Sequence, residues 1–129
     1  MDKKEDVREF EKREQQLHSF LAEVSELSRK KPNDALNRFK LKFINATLDD
    51  LNKLLGNHTP FDDFKQFDLD DLPSNSDVVV ILGQYAAATY NFRREHTAEV
   101  GYEKWYWVVR GKPSDLQTKS PENSKYQPK

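Results

Sequence analysis

The sequence predicts an all-α fold: a small helical bundle of three long helices plus a short helix, followed by a disordered C-terminal tail. Two observations carry this prediction. Apolar residues recur at helical spacing through most of the chain. Only four glycines and six prolines occur in 129 residues, which leaves few sites for the tight turns of a β-rich fold. We expect residues 1–111 to form a single helical domain and residues 112–129 to form the tail.

Residues 2–30 are predicted to form the first long helix, because their apolar side chains share one face. The residue before Pro32 disfavours the helical region, so the helix should end there. The dense charge of the first 15 or so residues predicts a solvated start that is open to fraying. From Leu17 to Leu27 the spacing resembles that of a coiled coil, and Arg13 interrupts it. The apolar face consists of Val7, Phe10, Leu17, Phe20, Leu21, Val24 and Leu27.

The second helix is predicted to run from about Asp34 to Leu55, with Asn33 or Asp34 as its N-cap and Gly56 as its stop. Its apolar residues cover more than one stripe, which predicts packing neighbours on two sides. Thr59-Pro60 then begins a short helix to about Phe67, because threonine is a good N-cap and proline a good first helical residue.

The run from Val78 to Phe92 contains no charged residue and is predicted to form the centre of the core. Two interpretations compete. Residues 78–82 alone resemble a buried parallel strand. However, only Gly83 separates them from the alanines that follow, and no second strand of this type exists, whereas a parallel sheet needs several. The third long helix is therefore favoured.

Residues 102–110 fit either a helix or a strand, and we favour a helix that continues or kinks from the third one. Gly111 and Pro113 stop either form. Residues 112–129 are rich in proline, serine, lysine and glutamine. Such a composition buries too little apolar surface to offset the chain entropy lost on folding, so this tail should be disordered.

Composition excludes several function classes. The chain has no cysteine, which rules out disulfides, thiolate metal sites and a cysteine nucleophile, and which suits the reducing cytoplasm. No window of about 18 apolar residues could span a membrane, and the charged start does not resemble a secretory signal. Net charge is −1, so a dedicated nucleic-acid binder is not expected. Motifs for nucleotides, cofactors or metals are absent, and we predict none of these ligands.

The aromatic residues near the end of the predicted domain are the main candidates for an interaction site. Trp105, Tyr106 and Trp107, with Arg110 close by, cannot all face one core from a regular element. Exposed tryptophan, tyrosine and arginine are typical anchors of protein interfaces. Two possibilities stay open at this stage, an interface and a core cluster covered by the first helix.

We therefore predict a non-catalytic, intracellular protein-interaction or regulatory module whose partner is another protein or a second copy of the chain. The first alternative is a small-ligand binder or enzyme with a pocket between the last two helices, lined by Tyr85, Tyr90, Arg93 and His96 together with Trp105. The second alternative is a nucleic-acid accessory protein whose basic residues are Arg38, Lys40, Lys42, Arg93 and Arg94.

Overall fold

The computed structural model describes residues 1–128 and combines helices with a small antiparallel sheet. The long helices are α1 (Lys4–Lys30), α2 (Arg38–Leu55), which runs into a 3₁₀ turn (Gly56–His58), and α3 (Asn75–His96). Three strands follow in the order β1 (Thr97–Glu99), β2 (Trp105–Val109) and β3 (Lys112–Thr118), and α4 (Pro121–Ser124) is a single turn. In this part of the chain no helix has both the length and the apolar character needed to cross a bilayer.

Helix α1 is ordered from its first turn, where the Asp6 carboxylate accepts a hydrogen bond from the Lys3 backbone N–H at 3.2 Å. Its charged first half is also anchored, because Val7 and Phe10 are buried in the core. The predicted apolar face is therefore in contact with the rest of the fold along the whole helix, including the segment expected to fray.

Three polar contacts fix α1 and α2 in an antiparallel register. Arg13 pairs with Asp50 at 2.6 Å, the Thr47 hydroxyl donates to Gln16 at 3.0 Å, and Lys40 pairs with Glu23 at 2.6 Å. Each step forward along α1 is matched by an equal step backward along α2. The same register sets Phe20 of α1 opposite Phe43 of α2.

The start of α2 lies later than predicted. Asn37 is the N-cap, and its side-chain oxygen accepts from the backbone N–H groups of Phe39 and Lys40 at 2.8 and 3.2 Å. The residues before it are held in a loop against the start of α3, where Leu36 N–H donates to Pro73 O and Asn75 N–H donates to Asp34 O, both at 2.9 Å. These backbone bonds compete with the helix and delay its first turn.

The short helix predicted for residues 59–67 is absent, because this segment is a loop fastened to α2 by side-chain amides. Asn45 donates to Phe67 O at 2.9 Å and accepts from Phe67 N–H at 2.8 Å, and Asn52 donates to Lys65 O at 2.9 Å. Long-range bonds of this kind are invisible in the local capping pattern that predicted the helix.

The helical interpretation of residues 78–92 is confirmed. Helix α3 is capped by Ser74, whose hydroxyl accepts from Asp77 N–H at 3.2 Å. It buries Val78, Leu82, Tyr85 and Phe92 among the residues of α1 and α2.

The all-α prediction is wrong, since residues 97–118 form a three-stranded sheet. Residues 105–109 are all aromatic or β-branched, a composition that favours a strand. Arg110 and Gly111 both have positive φ, 53° and 77°, as the two central residues of a type I′ hairpin turn require. Gly111, which was predicted to stop a helix, is thus part of a hairpin turn. Pro113 is tolerated because β3 is an edge strand.

The disordered tail is also a wrong prediction. Strand β3 pairs with β2, so its polar residues are ordered by the backbone ladder rather than by burial of apolar area. Leu116 of β3 also packs against the core, and beyond the strand Pro121 is buried and Tyr126 packs against the core.

Candidate functional site

The predicted interface cluster does not form one exposed surface. Trp107 is 0% exposed. Its ring meets the edge of Phe10 at 5.4 Å, and its indole N–H donates to Glu11 at 2.6 Å. Trp105 and Tyr106 are half-buried in the same strand. Of the two possibilities that the sequence left open for Trp107, the structure shows the core.

Arg110, the fourth member of the predicted cluster, binds the start of the chain. Its backbone N–H donates to Met1 O at 2.9 Å and its Nε donates to Asp2 O at 3.0 Å. The hairpin turn therefore fastens the N-terminal segment, while the Arg110 side chain stays exposed.

The four predicted ligand-binding residues lie in different places. Tyr85 is in the core and donates to Asn52 at 2.7 Å, and burial raises the pKa of its hydroxyl. Tyr90 lines a groove of about 480 Å³ beside α3, and Arg93 lies at the base of a cleft of about 900 Å³ beside α1. His96 faces a third cavity of about 350 Å³. The structure therefore does not bring these four side chains together.

Arg93 belongs to a buried polar network that joins four elements. Its guanidinium pairs with Glu14 of α1 at 2.6 Å, donates to Thr118 of β3 and lies 4.7 Å from the ring centroid of Trp107 in β2. Burial raises the pKa of the Glu14 carboxyl, although the Arg93 hydrogen bond and charge oppose that shift. Both charges are engaged within the fold, so we regard the pair as an anchor of the sheet on α1.

The cleft above this pair lies between α1 and residues 118–127. Burial lowers the pKa of His18, with a further contribution from the Arg93 charge, so its imidazole is neutral near pH 7. Its ring meets Tyr126 edge-on at 5.4 Å. The nearby carboxylate of Glu14 accepts from Arg93 at 2.6 Å.

The third cavity holds two histidines, His58 and His96, with ring centroids 5.9 Å apart. His58 faces Glu95 at 3.0 Å, while Nδ1 of His96 lies 2.9 Å from the Phe92 carbonyl oxygen. Burial lowers the pKa of His96. Among residues 1–128, no group of three side chains could hold a metal ion.

The basic residues of the nucleic-acid alternative are divided between α2 and α3. Arg93 is buried, Lys40 pairs with Glu23, and Arg38 donates to Leu69 O at 3.3 Å beside Asp70. Arg94 lies 5.7 Å from the Tyr90 ring on α3. Lys42 is exposed on α2.

The most exposed aromatic pair lies on α2, where only basic residues were candidates in the sequence. Phe39 and Phe43 are 69% and 49% exposed, and their rings meet edge-on with centroids 5.0 Å apart. Ala46, one turn further along, is exposed as well, and half-buried Phe20 lies opposite Phe43 in the α1–α2 register. We call Phe39, Phe43 and Ala46 with Phe20 the α2 aromatic face.

A signal for this face was present in the sequence. The apolar residues of α2 cover more than one stripe, which predicts packing neighbours on two sides. The structure supplies both, since α2 contacts α1 through Thr47 and α3 through Asn52. Phe39 and Phe43 form a further apolar stripe that is open to solvent.

The charges on α2 are unevenly distributed. Its first turn has no acidic residue and carries Arg38 and Lys40, which is unfavourable at a helix N-terminus, while its last turn carries the basic Lys53, which is favourable. Asp49 and Asp50 lie between these two turns.

No protein-family model, no curated protein and no solved structure gave a significant match to the chain.

Proposed function

We propose that this chain is a non-catalytic interaction module that self-associates through the α2 aromatic face. The observation that carries the proposal is the exposed, mutually packed pair Phe39 and Phe43. Burying one phenylalanine side chain is worth about 1.5–3 kcal/mol. Two of them adjacent on one helix form an apolar patch typical of protein-binding surfaces.

A second copy of the chain fits this face because of the order of charges along α2. If two α2 helices pack antiparallel around a two-fold axis near Phe43 and Ala46, the basic first half of each faces the acidic second half of the other. The exposed side chain of Lys42 then approaches the exposed Asp49 of the second copy, whereas Asp50 stays paired with Arg13 of its own chain. The basic first half of α2 thereby gains an opposite charge from the second copy.

The association should be weak and reversible. A stable interface typically buries about 800 Å² on each partner, whereas the α2 aromatic face consists of only four side chains, one of them half-buried. We further propose the cytoplasm as the place of action. The absence of cysteine supports this, because it suits a reducing compartment.

Sedimentation equilibrium over a range of protein concentrations tests the proposal. The wild-type chain should show a reversible monomer–dimer equilibrium that Phe39→Ser with Phe43→Ser abolishes. Tyr102→Ser is the matched control, since Tyr102 is 88% exposed at the hairpin between β1 and β2 and lies outside the face. The proposal fails if wild type stays monomeric at millimolar concentration, or if the control weakens association as much as the double variant.

A further inference from the structure

The C-terminal segment, residues 119–128, lies along a groove between α1 and α3. The ring of Tyr126 packs against His18 of α1. The Lys125 ammonium lies 4.6 Å from the ring centroid of Tyr90 on α3, and the Tyr90 hydroxyl donates to Glu122. The segment thus contacts both walls of the groove through side chains.

The groove is larger than the segment that lies in it. Separate cavities of about 900, 480 and 280 Å³ all have Tyr126 in their walls. The first two also share Lys125, and the last two share Ser25 of α1. Together they describe one trough along α1 and α3 that the Tyr126 side chain divides.

One wall of the trough contains a glycine that the fold itself does not need. Gly83 lies inside α3 with a negative φ, and a Cβ added there would meet no atom within 4 Å. Glycine is less favourable than alanine inside a helix, and here no close approach within the chain requires it. Gly83 lines the same cavity as Leu21 and Val79, where the trough is most apolar.

The contacts that keep residues 119–128 in the trough are weak. Glu122 and Lys125 are exposed, and their mutual contact of 3.8 Å is a surface ion pair of the kind that contributes little. Tyr126 is only half-buried, and Pro121 is the one fully buried side chain between residues 119 and 128. A competing segment therefore has little to displace beyond Tyr126 and its neighbours.

We infer that this trough is a docking site for an extended segment of a partner polypeptide with the chemistry of residues 125–128, a lysine followed by a tyrosine and, two positions later, a proline. The chain's own segment shows that this chemistry fits. The tyrosine packs between the helices, and the lysine meets an aromatic face. The same segment acts as the resident competitor in the free protein. The site shares no residue with the α2 aromatic face and does not depend on the function proposed for it.

The test uses a fluorescent peptide of residues 119–128 and measures its anisotropy with full-length chains. Wild type should bind it weakly, because its own segment occupies the trough for most of the time. The Tyr126→Ala chain, whose segment is loosened, should bind it at least about tenfold more tightly. A peptide that itself carries Tyr126→Ala should not bind.

A blocked trough provides the decisive control. Gly83→Leu has room at its Cβ and should fill the trough, so that adding it to the Tyr126→Ala chain removes peptide binding. Glu122→Ala removes the carboxylate that accepts from Tyr90 in the chain's own segment only, and offers a second way to loosen that segment should Tyr126→Ala not fold. The inference is wrong if folded Tyr126→Ala and Glu122→Ala chains bind no more peptide than wild type, or if Gly83→Leu leaves binding unchanged. Phe39→Ser with Phe43→Ser should leave peptide binding unaltered.

Discussion

Two aromatic regions of this molecule differ in their exposure to solvent. Residues 105–107 of β2 place three aromatic side chains in a row, and the largest of them, Trp107, is fully buried. Phe39 and Phe43 lie four residues apart on α2 among lysines, and both are exposed. The density of aromatic residues in a sequence therefore does not indicate which of them reach the surface.

The elements that carry the residues explain the difference. On β2, alternate side chains point to opposite faces of the sheet. The face with Trp107 packs on α1, where the indole ring contacts Phe10 and its N–H donates to Glu11. On α2, one stripe packs into the core, and the stripe with Phe39 and Phe43 has no element over it. An aromatic is buried when a second element covers its face, and that depends on the rest of the chain.

The largest effect should come from the buried region. Trp107→Ala is expected to lower the free energy of unfolding by about 3–5 kcal/mol, because it leaves a cavity and removes the partners of Phe10, Glu11 and Arg93. Urea unfolding followed by circular dichroism measures it, with Tyr102→Ala as a control that should stay within about 0.5 kcal/mol. A loss below about 1 kcal/mol for Trp107→Ala would contradict the burial of the Trp107 side chain in the core.

The ion pair beneath the same tryptophan should give the next largest effect. Arg93→Met leaves the Glu14 carboxyl buried without its partner and should cost about 3 kcal/mol. Glu14→Met introduced into the same chain should recover most of that loss, because no charge then stays buried. If the double variant is no more stable than Arg93→Met, the two side chains do not act as a pair.

The pH dependence of stability should separate the two regions as well. The folded-state pKa values of His18 and His96 are lowered from 6.5, mainly by burial, so the unfolded chain binds more protons just below that pH. Their contribution is therefore complete above pH 6.5 and is lost as the pH falls through the lowered values. Thermal melts between pH 7.5 and 5 should show a smaller decline for His18→Gln and His96→Gln than for wild type. Phe43→Ser should keep the wild-type slope, and a wild-type slope in both histidine variants would contradict the assignment.

The smallest effect on stability should come from the α2 aromatic face. Phe43→Ser is expected to change the free energy of unfolding by less than about 1 kcal/mol, since the ring is half exposed in the monomer. Denaturant unfolding at low protein concentration, where the monomer prevails, measures this. A loss as large as that for Trp107→Ala would show that the ring supports the fold.

Local patterns predicted the parts of this fold that depend on local chemistry. The apolar face of α1, the helix at residues 78–92 and the stop at Gly56 follow from spacing, capping and backbone conformation. The sheet was missed because Arg110-Gly111 fits a helix stop as well as a hairpin turn, and only the pairing of residues 105–109 with 112–118 decides between them. The ordered tail depends on the same pairing.

The candidate site was harder to predict than the fold. Glu14 and Arg93 are 79 residues apart, so no local pattern indicated that Arg93 would form a buried ion pair with Glu14. The second apolar stripe of α2 was visible, but a stripe alone does not say whether its neighbour belongs to the same molecule. That information comes only from the packing of the whole chain.

A single introduced thiol tests the central claim, that the α2 aromatic face joins two copies of the chain. The protein has no cysteine, so Ala46→Cys places the only thiol beside the proposed two-fold axis. A short thiol-to-thiol cross-linker should convert it to covalent dimers at concentrations where wild type associates, and adding Phe39→Ser should prevent this. Gln84→Cys, exposed on α3, should stay monomeric under the same conditions. Equal cross-linking of the two cysteine variants, or none with Ala46→Cys, would contradict the account.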